Sequence, residues 1–285
     1  MSDGTKYFVW LLASLAAANA FLAYSALRTL PSVLTISFLS VGAGEAILVQ
    51  SPAGADILID AGPDASILRA LGTELGPFDR TIDAILVTHG SASAIGGLSD
   101  VFNDYQVRSF FSSGVNYHSF AEEVLRDALK HEQGLQTVTL ARGERIDIGG
   151  GAYIDVLYPD RDVSGVDSDT ASLVLRIVYG ETSFLITGAA PSGVEEYLVR
   201  LDGARLKSGV LLAGDSGKKT STSATFLSAV HPDTVVISVD TGNRFGYPHQ
   251  ETLDRIVTEG AAIARTGDGS VRFVSDGNTV RLESR

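Results

Sequence analysis

The chain has 285 residues and no cysteine, which excludes disulfide bonds, thiolate-bound metal and a thiol nucleophile. It contains 22 Lys and Arg against 34 Asp and Glu, and the formal net charge of −12 argues against broad, salt-driven binding to nucleic acid. A hydrophobic content of 45% is typical of a globular protein and too high for a disordered one.

The first element is an uncharged apolar segment at the N-terminus. It runs from Tyr7 to Leu27 and is long enough to cross a bilayer as one helix. A cleaved signal peptide is one alternative, because Ala18-Asn19-Ala20 has the small-x-small form of a cleavage site, and a buried core helix is another. We therefore predict a membrane anchor or signal segment at residues 1–30 and one domain at residues 31–285.

The acidic charge falls on the predicted domain. Residues 1–30 hold one acidic and two basic side chains, so the remainder of the chain carries −13. A domain of this charge is expected to repel nucleic acid, and direct binding to nucleic acid is not predicted. The membrane, contacted through residues 7–27, is the first predicted partner.

Strand-like and helix-like stretches alternate after the N-terminal segment. Short apolar runs between turn residues predict strands, and longer stretches with helical periodicity predict helices. In the first half, strands are predicted at 34–39, 46–50, 56–60, 82–88, 137–140 and 152–158, and helices at 65–75 and 120–131. In the second half, strands are predicted at 173–178, 183–187, 209–212, 234–239, 271–275 and 279–282, and helices at 193–201, 223–230 and 250–259. Two similar halves of this kind predict an α/β domain with two sheets and helices outside them.

Several short blocks in the predicted domain follow a known order and spacing. FLSVGAGEA at 38–46 is similar to F-L-D-V-G-Q-G-D-A, and TH at 88–89 with IGGL at 95–98 brackets the positions of T-H-x-H-x-D-H-I-G-G-L. The remaining blocks are LIDAGP at 58–63, KTSTS at 219–223, VVISV at 235–239, GYPH at 246–249 and RTGDG at 265–269. On these blocks, residues 33–285 resemble the metallo-β-lactamase-like domain of ComEC-type DNA-uptake proteins.

This resemblance implies a fold, a site and a setting. The implied fold is an αββα four-layer sandwich with the active site at one edge, where loops from both sheets meet. In the family, that site is expected to hold divalent metal ions that activate water to cut a phosphodiester or a similar bond. The resemblance also implies an apolar helix before the domain and a partner protein of the envelope or of DNA uptake. We predict a membrane-anchored chain with the domain outside the cytoplasm. Secretion after cleavage near Ala20 is the alternative location.

Most of the metal ligands implied by the family are replaced in this chain. The four ligand positions of H-x-H-x-D-H fall on His89, Ser91, Ser93 and Ala94, and the ligand Asp of a T-G-D motif falls on Ala189. An alanine cannot bind a cation, and a neutral serine hydroxyl is a poor ligand. We therefore predict a vestigial, metal-free pocket without hydrolytic activity. It comprises Asp60, His89, Ser91, Ser93, Ala94, Ala189, Asp215, Ser216, Tyr247 and His249.

A second candidate site lies just after this pocket's Asp215 and Ser216. Lys218, Lys219, Thr220 and Ser221 precede a predicted helix and are predicted to attract an anion. The principal hypothesis is a membrane-tethered, non-hydrolytic binding or scaffolding module related to DNA uptake or the cell envelope. The alternatives are a Zn²⁺- or Mn²⁺-dependent hydrolase with substituted ligands, and an anion-binding module at 218–221.

Overall fold

The chain divides into two compact units, Met1–Ser32 and Val33–Arg285. The computed structural model describes residues 3–29, 33–76, 78–115, 119–132, 134–163, 165–240, 242–243 and 245–283. The first unit is helix α1, Asp3–Thr29. Within these described ranges, no helix has both the length and the apolar character needed to cross a membrane. The anchor or signal function of residues 1–30 stays a prediction.

The second unit alternates strands and helices along its described residues. The strands are β1 (Leu34–Phe38), β2 (Ile47–Gln50), β3 (Asp56–Ile59), β4 (Thr81–Leu86), β5 (Gln106–Ser112), β6 (Gln136–Thr139), β7 (Arg145–Gly149), β8 (Ala152–Tyr158), β9 (Val174–Tyr179), β10 (Thr182–Ile186), β11 (Val210–Leu212), β12 (Thr234–Ile237), β13 (Ala262–Arg265), β14 (Val271–Ser275) and β15 (Val280–Glu283). The helices are α2 (Ser66–Glu74), α3 (Ala92–Ile95), α4 (Leu98–Asp104), α5 (Phe120–His131), α6 (Ser192–Asp202), α7 (Ala224–Val230) and α8 (Gln250–Glu259).

The strands form two mixed sheets. The first has the order β15-β14-β1-β2-β3-β4-β5-β6, and the second has the order β13-β12-β11-β10-β9-β8-β7. Strands β3 to β6 are parallel to one another, as are β10 to β13. Every residue of β10 and β11 is buried, as the continuous apolar runs of strands covered on both faces predict.

Three apolar clusters separate four layers. The first fills the space between the sheets, with Phe38 and Phe184 both packed edge-on against Phe273. The second lies between the first sheet and helices α2, α4 and α5, and the third lies between the second sheet and helices α6 to α8. The predicted α/β fold with two sheets and outer helices is confirmed.

Five short elements escaped prediction: strands β5, β7 and β13, and helices α3 and α4. Strand β5 carries Arg108 among its apolar residues, which breaks the apolar run. Strands β7 and β13 are the two edges of the second sheet, and an edge strand needs no continuous apolar sequence because one side stays open.

Candidate functional site

Four of the predicted pocket residues lie in loops that follow parallel strands. Asp60 follows β3, His89 follows β4, Ala189 follows β10 and Asp215 follows β11. The carboxyl ends of parallel strands in an open α/β sheet are the usual place for a ligand site. In this protein loops from both sheets meet there, because the charge of Asp215, which follows β11 of the second sheet, acts on His89, which follows β4 of the first.

Small side chains stand at the positions of the family's metal ligands. The hydroxyls of Ser91 and Ser93 hydrogen-bond to each other with an oxygen–oxygen distance of 2.7 Å. Ala94 is fully buried in the cluster beneath the first sheet's helices, and Ala189 is 4% exposed. Two of the five positions therefore hold buried methyl groups, and two hold hydroxyls that bond to each other.

An open cleft of about 680 Å³ occupies the edge where these loops meet. Its lining includes Ser91, Ser93, Asp215, Ser216 and Tyr247, all of which the sequence assigned to the pocket. Phe245, which the sequence did not indicate, stacks on Tyr247 with ring centroids 5.8 Å apart and an interplanar angle of 19°. The cleft lining thus combines two stacked aromatic rings with hydroxyl and carboxylate groups.

Three further ionisable residues lie together in a buried cluster. Glu45, Asp60 and His89 are each no more than 3% exposed, and each places one potential ligand atom within 4.8 Å of those of the other two. Asp60 and His89 were predicted pocket residues, whereas Glu45 was not. A signal for Glu45 was present, because it occupies the acidic position of the F-L-D-V-G-Q-G-D-A block.

Thr88 joins two members of the cluster. Its backbone N–H and its hydroxyl donate to the Asp60 carboxylate at 2.8 and 2.5 Å, and its hydroxyl oxygen lies 2.8 Å from Nδ1 of His89. Since that hydroxyl already donates to Asp60, the network assigns the proton of the neutral imidazole to Nδ1. The lone pair on Nε2 of His89 is then available to a ligand.

Gly188 makes this arrangement sterically possible. Its φ of +52° is in the left-handed region, and an added Cβ would lie 2.7 Å from the Thr88 hydroxyl oxygen. The glycine of the former T-G-D motif therefore still packs against the threonine that holds His89. The backbone of the site is kept although the neighbouring ligand position is an alanine.

Burial disfavours the charged form of every member of the cluster. It raises the pKa of Glu45 well above the usual range, with the nearby Asp60 and Asp215 adding to the effect. Burial also raises the pKa of Asp60 to about 7, against the opposing hydrogen bonds from Thr88. It lowers the pKa of His89 to about 4, an effect that Asp215 opposes. Without a bound cation, the cluster is therefore held close to neutrality.

The loop between the cleft and the cluster is backbone-strained. Asp215 and Ser216 are consecutive non-glycine residues with φ of 47° and 55°. The Ser216 backbone hydrogen-bonds the Glu45 carboxylate, so this loop contacts the cluster on one side and lines the cleft on the other. Non-glycine residues in this conformation are often found at functional sites, where the surrounding structure enforces them.

Several polar groups of the predicted anion-binding segment are paired or hydrogen-bonded within the protein. Lys218 pairs with Asp215 through Nζ and Oδ2 at 2.8 Å, and the buried Ser221 hydroxyl donates to the Gly214 carbonyl at 2.6 Å. The Lys219 backbone N–H donates to Nδ1 of His249 at 3.1 Å. Thr220 is exposed and accepts at its carbonyl from the Ser192 N–H.

The nearby start of α7 already has an anionic partner. The backbone N–H groups of Thr222 and Ser223 donate to the two carboxylate oxygens of Glu195 at 2.5 and 2.8 Å. Glu195, 1% exposed, therefore takes the place that a bound anion would occupy at this helix N-terminus. The anion site at 218–221 stays a prediction.

His249, the last predicted pocket residue, stands beside the cleft. It is half-buried, and its ring lies 5.1 Å from that of Tyr247. Through Tyr247 it supports the aromatic wall.

The family's two-metal centre does not fit the residues present. Of its positions in the H-x-H-x-D-H and T-G-D motifs, only His89 keeps an ionisable side chain, and two positions are buried alanines. Among the described residues, acidic groups near His89 include Glu45, Asp60 and Asp215, which come from other loops. We derive no hydrolytic step through two metal ions.

No protein-family model matches the chain. The chain is 26% identical over 257 residues to ComE operon protein 3 of Bacillus subtilis (strain 168), covering 84% of this chain and 32% of that protein. It is 28% identical over 253 residues to Recombination protein 2 of Haemophilus influenzae (strain ATCC 51907 / DSM 11121 / KW20 / Rd), covering 85% of this chain and 29% of that protein. The chain therefore spans about a third of the length of these relatives.

Solved structures show the same fold at low sequence identity. The metallo-β-lactamase fold protein YhfI from Bacillus subtilis is 11% identical, with a TM-score of 0.54 over 88% of this chain and 100% of that one. Zn²⁺-bound PqqB from Methylobacterium extorquens is 13% identical, with a TM-score of 0.55 over 81% of this chain and 97% of that one. In sequence and fold, the chain is thus a ComEC-like metallo-β-lactamase-fold domain whose metal-binding motif is degenerate.

Proposed function

We propose that this protein is a membrane-associated binding module with a role in DNA uptake, and that it does not hydrolyse a substrate. One observation carries the proposal: serines replace metal ligands and line an open cleft, whereas the replacing alanines are buried. A two-metal hydrolase needs both ions to hold the attacking and leaving oxygens, and one histidine from the motif cannot hold two ions. The cleft is retained while the ligands for that chemistry are gone.

The shape and chemistry of the cleft favour binding. A volume of about 680 Å³ is in the range of small-molecule sites, and the stacked rings of Phe245 and Tyr247 give a rigid apolar surface. Ser91, Ser93 and Asp215 add hydrogen-bonding groups to the same lining. This mixture of a flat apolar wall and a few polar groups is typical of a site that orients a ligand.

The membrane and DNA-uptake parts of the proposal have separate support. Residues 7–27 are uncharged, and the side chains of Trp10, Leu11 and Leu15 in α1 are exposed. One relative is named Competence protein ComA, from Neisseria gonorrhoeae, and is 34% identical over 124 residues, covering 43% of this chain and 18% of that protein. Competence is a property of that relative, and its transfer to this chain is part of our proposal. So is the position of residues 33–285 outside the cytoplasm.

A nuclease assay with a restored motif tests the absence of hydrolysis. The wild-type chain is expected to cleave neither DNA nor bis(p-nitrophenyl) phosphate with Mn²⁺ or Zn²⁺. A variant that combines Ser91→His, Ser93→Asp, Ala94→His and Ala189→Asp restores the motif and is expected to bind two ions if it folds. Metal-dependent cleavage by the wild type, lost on His89→Ala, would overturn the proposal and favour the hydrolase with substituted ligands.

Uptake of labelled DNA by cells tests the role of the cleft. Deletion of the gene that encodes the chain is expected to lower DNA uptake. A reintroduced gene carrying Ser93→Trp, which fills the cleft, is expected not to restore uptake. The matched control is Ser228→Trp on the exposed surface of α7, which is expected to restore uptake. Full restoration by both variants would show that the cleft is not used. Carbonate extraction of the same cells would report whether residues 1–30 hold the chain in the membrane.

A further inference from the structure

We propose that Glu45, Asp60 and His89 form a site for a single first-row divalent cation, Mn²⁺ or Zn²⁺. The three residues come from three different loops, after β1, after β3 and after β4. Each offers one ligand atom, and these atoms lie within 4.8 Å of one another. Two carboxylates and one imidazole form a ligand set suited to Mn²⁺ or Zn²⁺, both of which accept mixed oxygen and nitrogen donors.

One oxygen of Glu45 is an independent sign that a ligand is missing. Its Oε2 is buried and has no hydrogen-bond partner among the described residues. The Glu45 side chain is part of a residue that is only 3% exposed, so bulk water does not solvate that oxygen. A buried carboxylate oxygen without a donor is costly, and a cation bound beside it would remove that cost.

The charges around Glu45 point to the same ligand. Among the residues that the structure describes, the charged groups that act on it are Asp60, Asp215 and Asp169, all of them acidic. Lys218, whose charge acts on Asp169, is paired with Asp215. A divalent cation between Glu45 and Asp60 would balance the acidic groups around it.

The hydrogen bonds of Thr88 prepare the other two ligands. They hold the Asp60 carboxylate in place and fix the His89 proton on Nδ1, so Nε2 can donate its lone pair to a metal. This pattern, in which one ring nitrogen is hydrogen-bonded and the other is free, is common for histidine ligands. Of the family's ligand positions in the H-x-H-x-D-H and T-G-D motifs, the site uses only His89, and it holds one ion rather than two.

Metal content of the full-length chain tests this site. The protein is stripped with EDTA, incubated with Mn²⁺ or Zn²⁺ and passed over a desalting column, and the bound metal is measured by mass spectrometry. We expect about one ion per chain in the wild type. Glu45→Gln and His89→Ala are expected to retain less than about a tenth of that. The control is Asp240→Asn, which removes an exposed carboxylate at the cleft and is expected to leave the metal content unchanged.

Thermal unfolding separates lost binding from lost folding. At a metal concentration about 100-fold above Kd, the wild-type melting temperature is expected to rise by roughly 5–10 °C. Glu45→Gln is expected to lose this rise, yet to melt in EDTA at least as high as the wild type, since glutamine is a neutral replacement of the same shape. No bound metal and no shift in the wild type would overturn the proposal, as would equal binding by Glu45→Gln.

Metal content and cleavage together distinguish failure of the cation site from failure of the proposed function. One bound ion without cleavage supports both proposals. One bound ion with metal-dependent cleavage supports the cation site and overturns the non-hydrolytic function. The absence of metal and of cleavage overturns the cation site alone.

Discussion

Glu45 and Glu195 are two buried glutamates with opposite surroundings. They are 3% and 1% exposed, and burial raises the pKa of both carboxyls. Both oxygens of Glu195 accept backbone N–H groups at the start of α7, from Thr222 and Ser223. Glu45 has one oxygen without a partner and acidic neighbours.

The hydrogen-bond partners of the two carboxylates distinguish a structural acid from a ligand-binding one. Glu195 satisfies groups that the fold itself leaves open, the N–H groups at a helix start. The Oε2 atom of Glu45 accepts no hydrogen bond from the described residues. A histidine and another carboxylate, His89 and Asp60, lie beside Glu45 instead. The equal burial of the two glutamates makes the partners of each carboxylate, and not its exposure, the informative property.

The largest expected effect is loss of the structural carboxylate. Glu195→Ala leaves two buried N–H groups without an acceptor and is expected to lower the free energy of unfolding by about 3 kcal/mol. The matched control is Glu196→Ala, an exposed neighbour on the same helix, expected to stay within about 0.5 kcal/mol of wild type. Urea denaturation measures both. Equal stability of the two variants would contradict the structural role of Glu195.

Thr88→Val breaks the connection within the cluster while preserving side-chain shape. Asp60 then loses a hydroxyl donor and His89 loses an acceptor, so the free energy of unfolding is expected to fall by about 2 kcal/mol. The same variant is expected to bind Mn²⁺ or Zn²⁺ at least tenfold more weakly. Thr73→Val, on an exposed face of α2, serves as the control for urea denaturation. Unchanged stability and metal affinity in Thr88→Val would show that the network is not formed.

The pH dependence of stability separates Glu45 from a neutral side chain. Burial and the facing charges of Asp60, Asp215 and Asp169 raise its pKa, so the folded state binds the Glu45 proton more tightly than the unfolded state does. The stability of the metal-free wild type therefore falls as the pH rises above the unfolded pKa. Glu45→Gln removes the titrating carboxyl and with it this pH dependence. In EDTA, the melting temperature of Glu45→Gln is therefore expected to exceed that of the wild type by more at pH 8 than at pH 5. A constant difference, or one that grows toward pH 5, would contradict the assignment.

The smallest expected effect belongs to the pair of Lys218 and Asp215. About a third of the Lys218 side chain is exposed, at 35%, and the Asp215 side chain is 27% exposed, so water screens the interaction. Lys218→Met is expected to change the free energy of unfolding by no more than about 0.5 kcal/mol. A loss above about 1.5 kcal/mol in urea denaturation would show that this pair, and not only the backbone, holds the Asp215 loop in place.

Most of the fold could be predicted because burial and sequence pattern coincide in its central strands. The apolar run at 82–88 was predicted as a strand and forms β4, Thr81–Leu86. The glycines and apolar residues around each replaced ligand position also follow the ComEC pattern, and this pattern predicts the two-sheet α/β fold. The edge strands β7 and β13 were missed because open edges place weak demands on sequence.

The site was harder to predict because its residues are far apart in the sequence and come together only through contacts between loops. The replaced ligand positions could be read directly from the sequence, and the cleft brings Ser91, Ser93, Asp215, Ser216 and Tyr247 together. The grouping of Glu45 with Asp60 and His89 requires the packing of three loops. The ion pair of Lys218 and the hydrogen bonds of Lys219 and Ser221 likewise depend on tertiary contacts.

The ratio of metal to protein in the wild-type chain and in Glu45→Gln tests the cation site most directly. We expect about one Mn²⁺ or Zn²⁺ per wild-type chain and less than about a tenth of that in Glu45→Gln. Two ions per wild-type chain would contradict it, because the two-metal centre of the family would then persist despite the replaced ligands. Metal-free wild type, or equal metal in both proteins, would contradict it as well, because the unpartnered oxygen of Glu45 would then serve no cation.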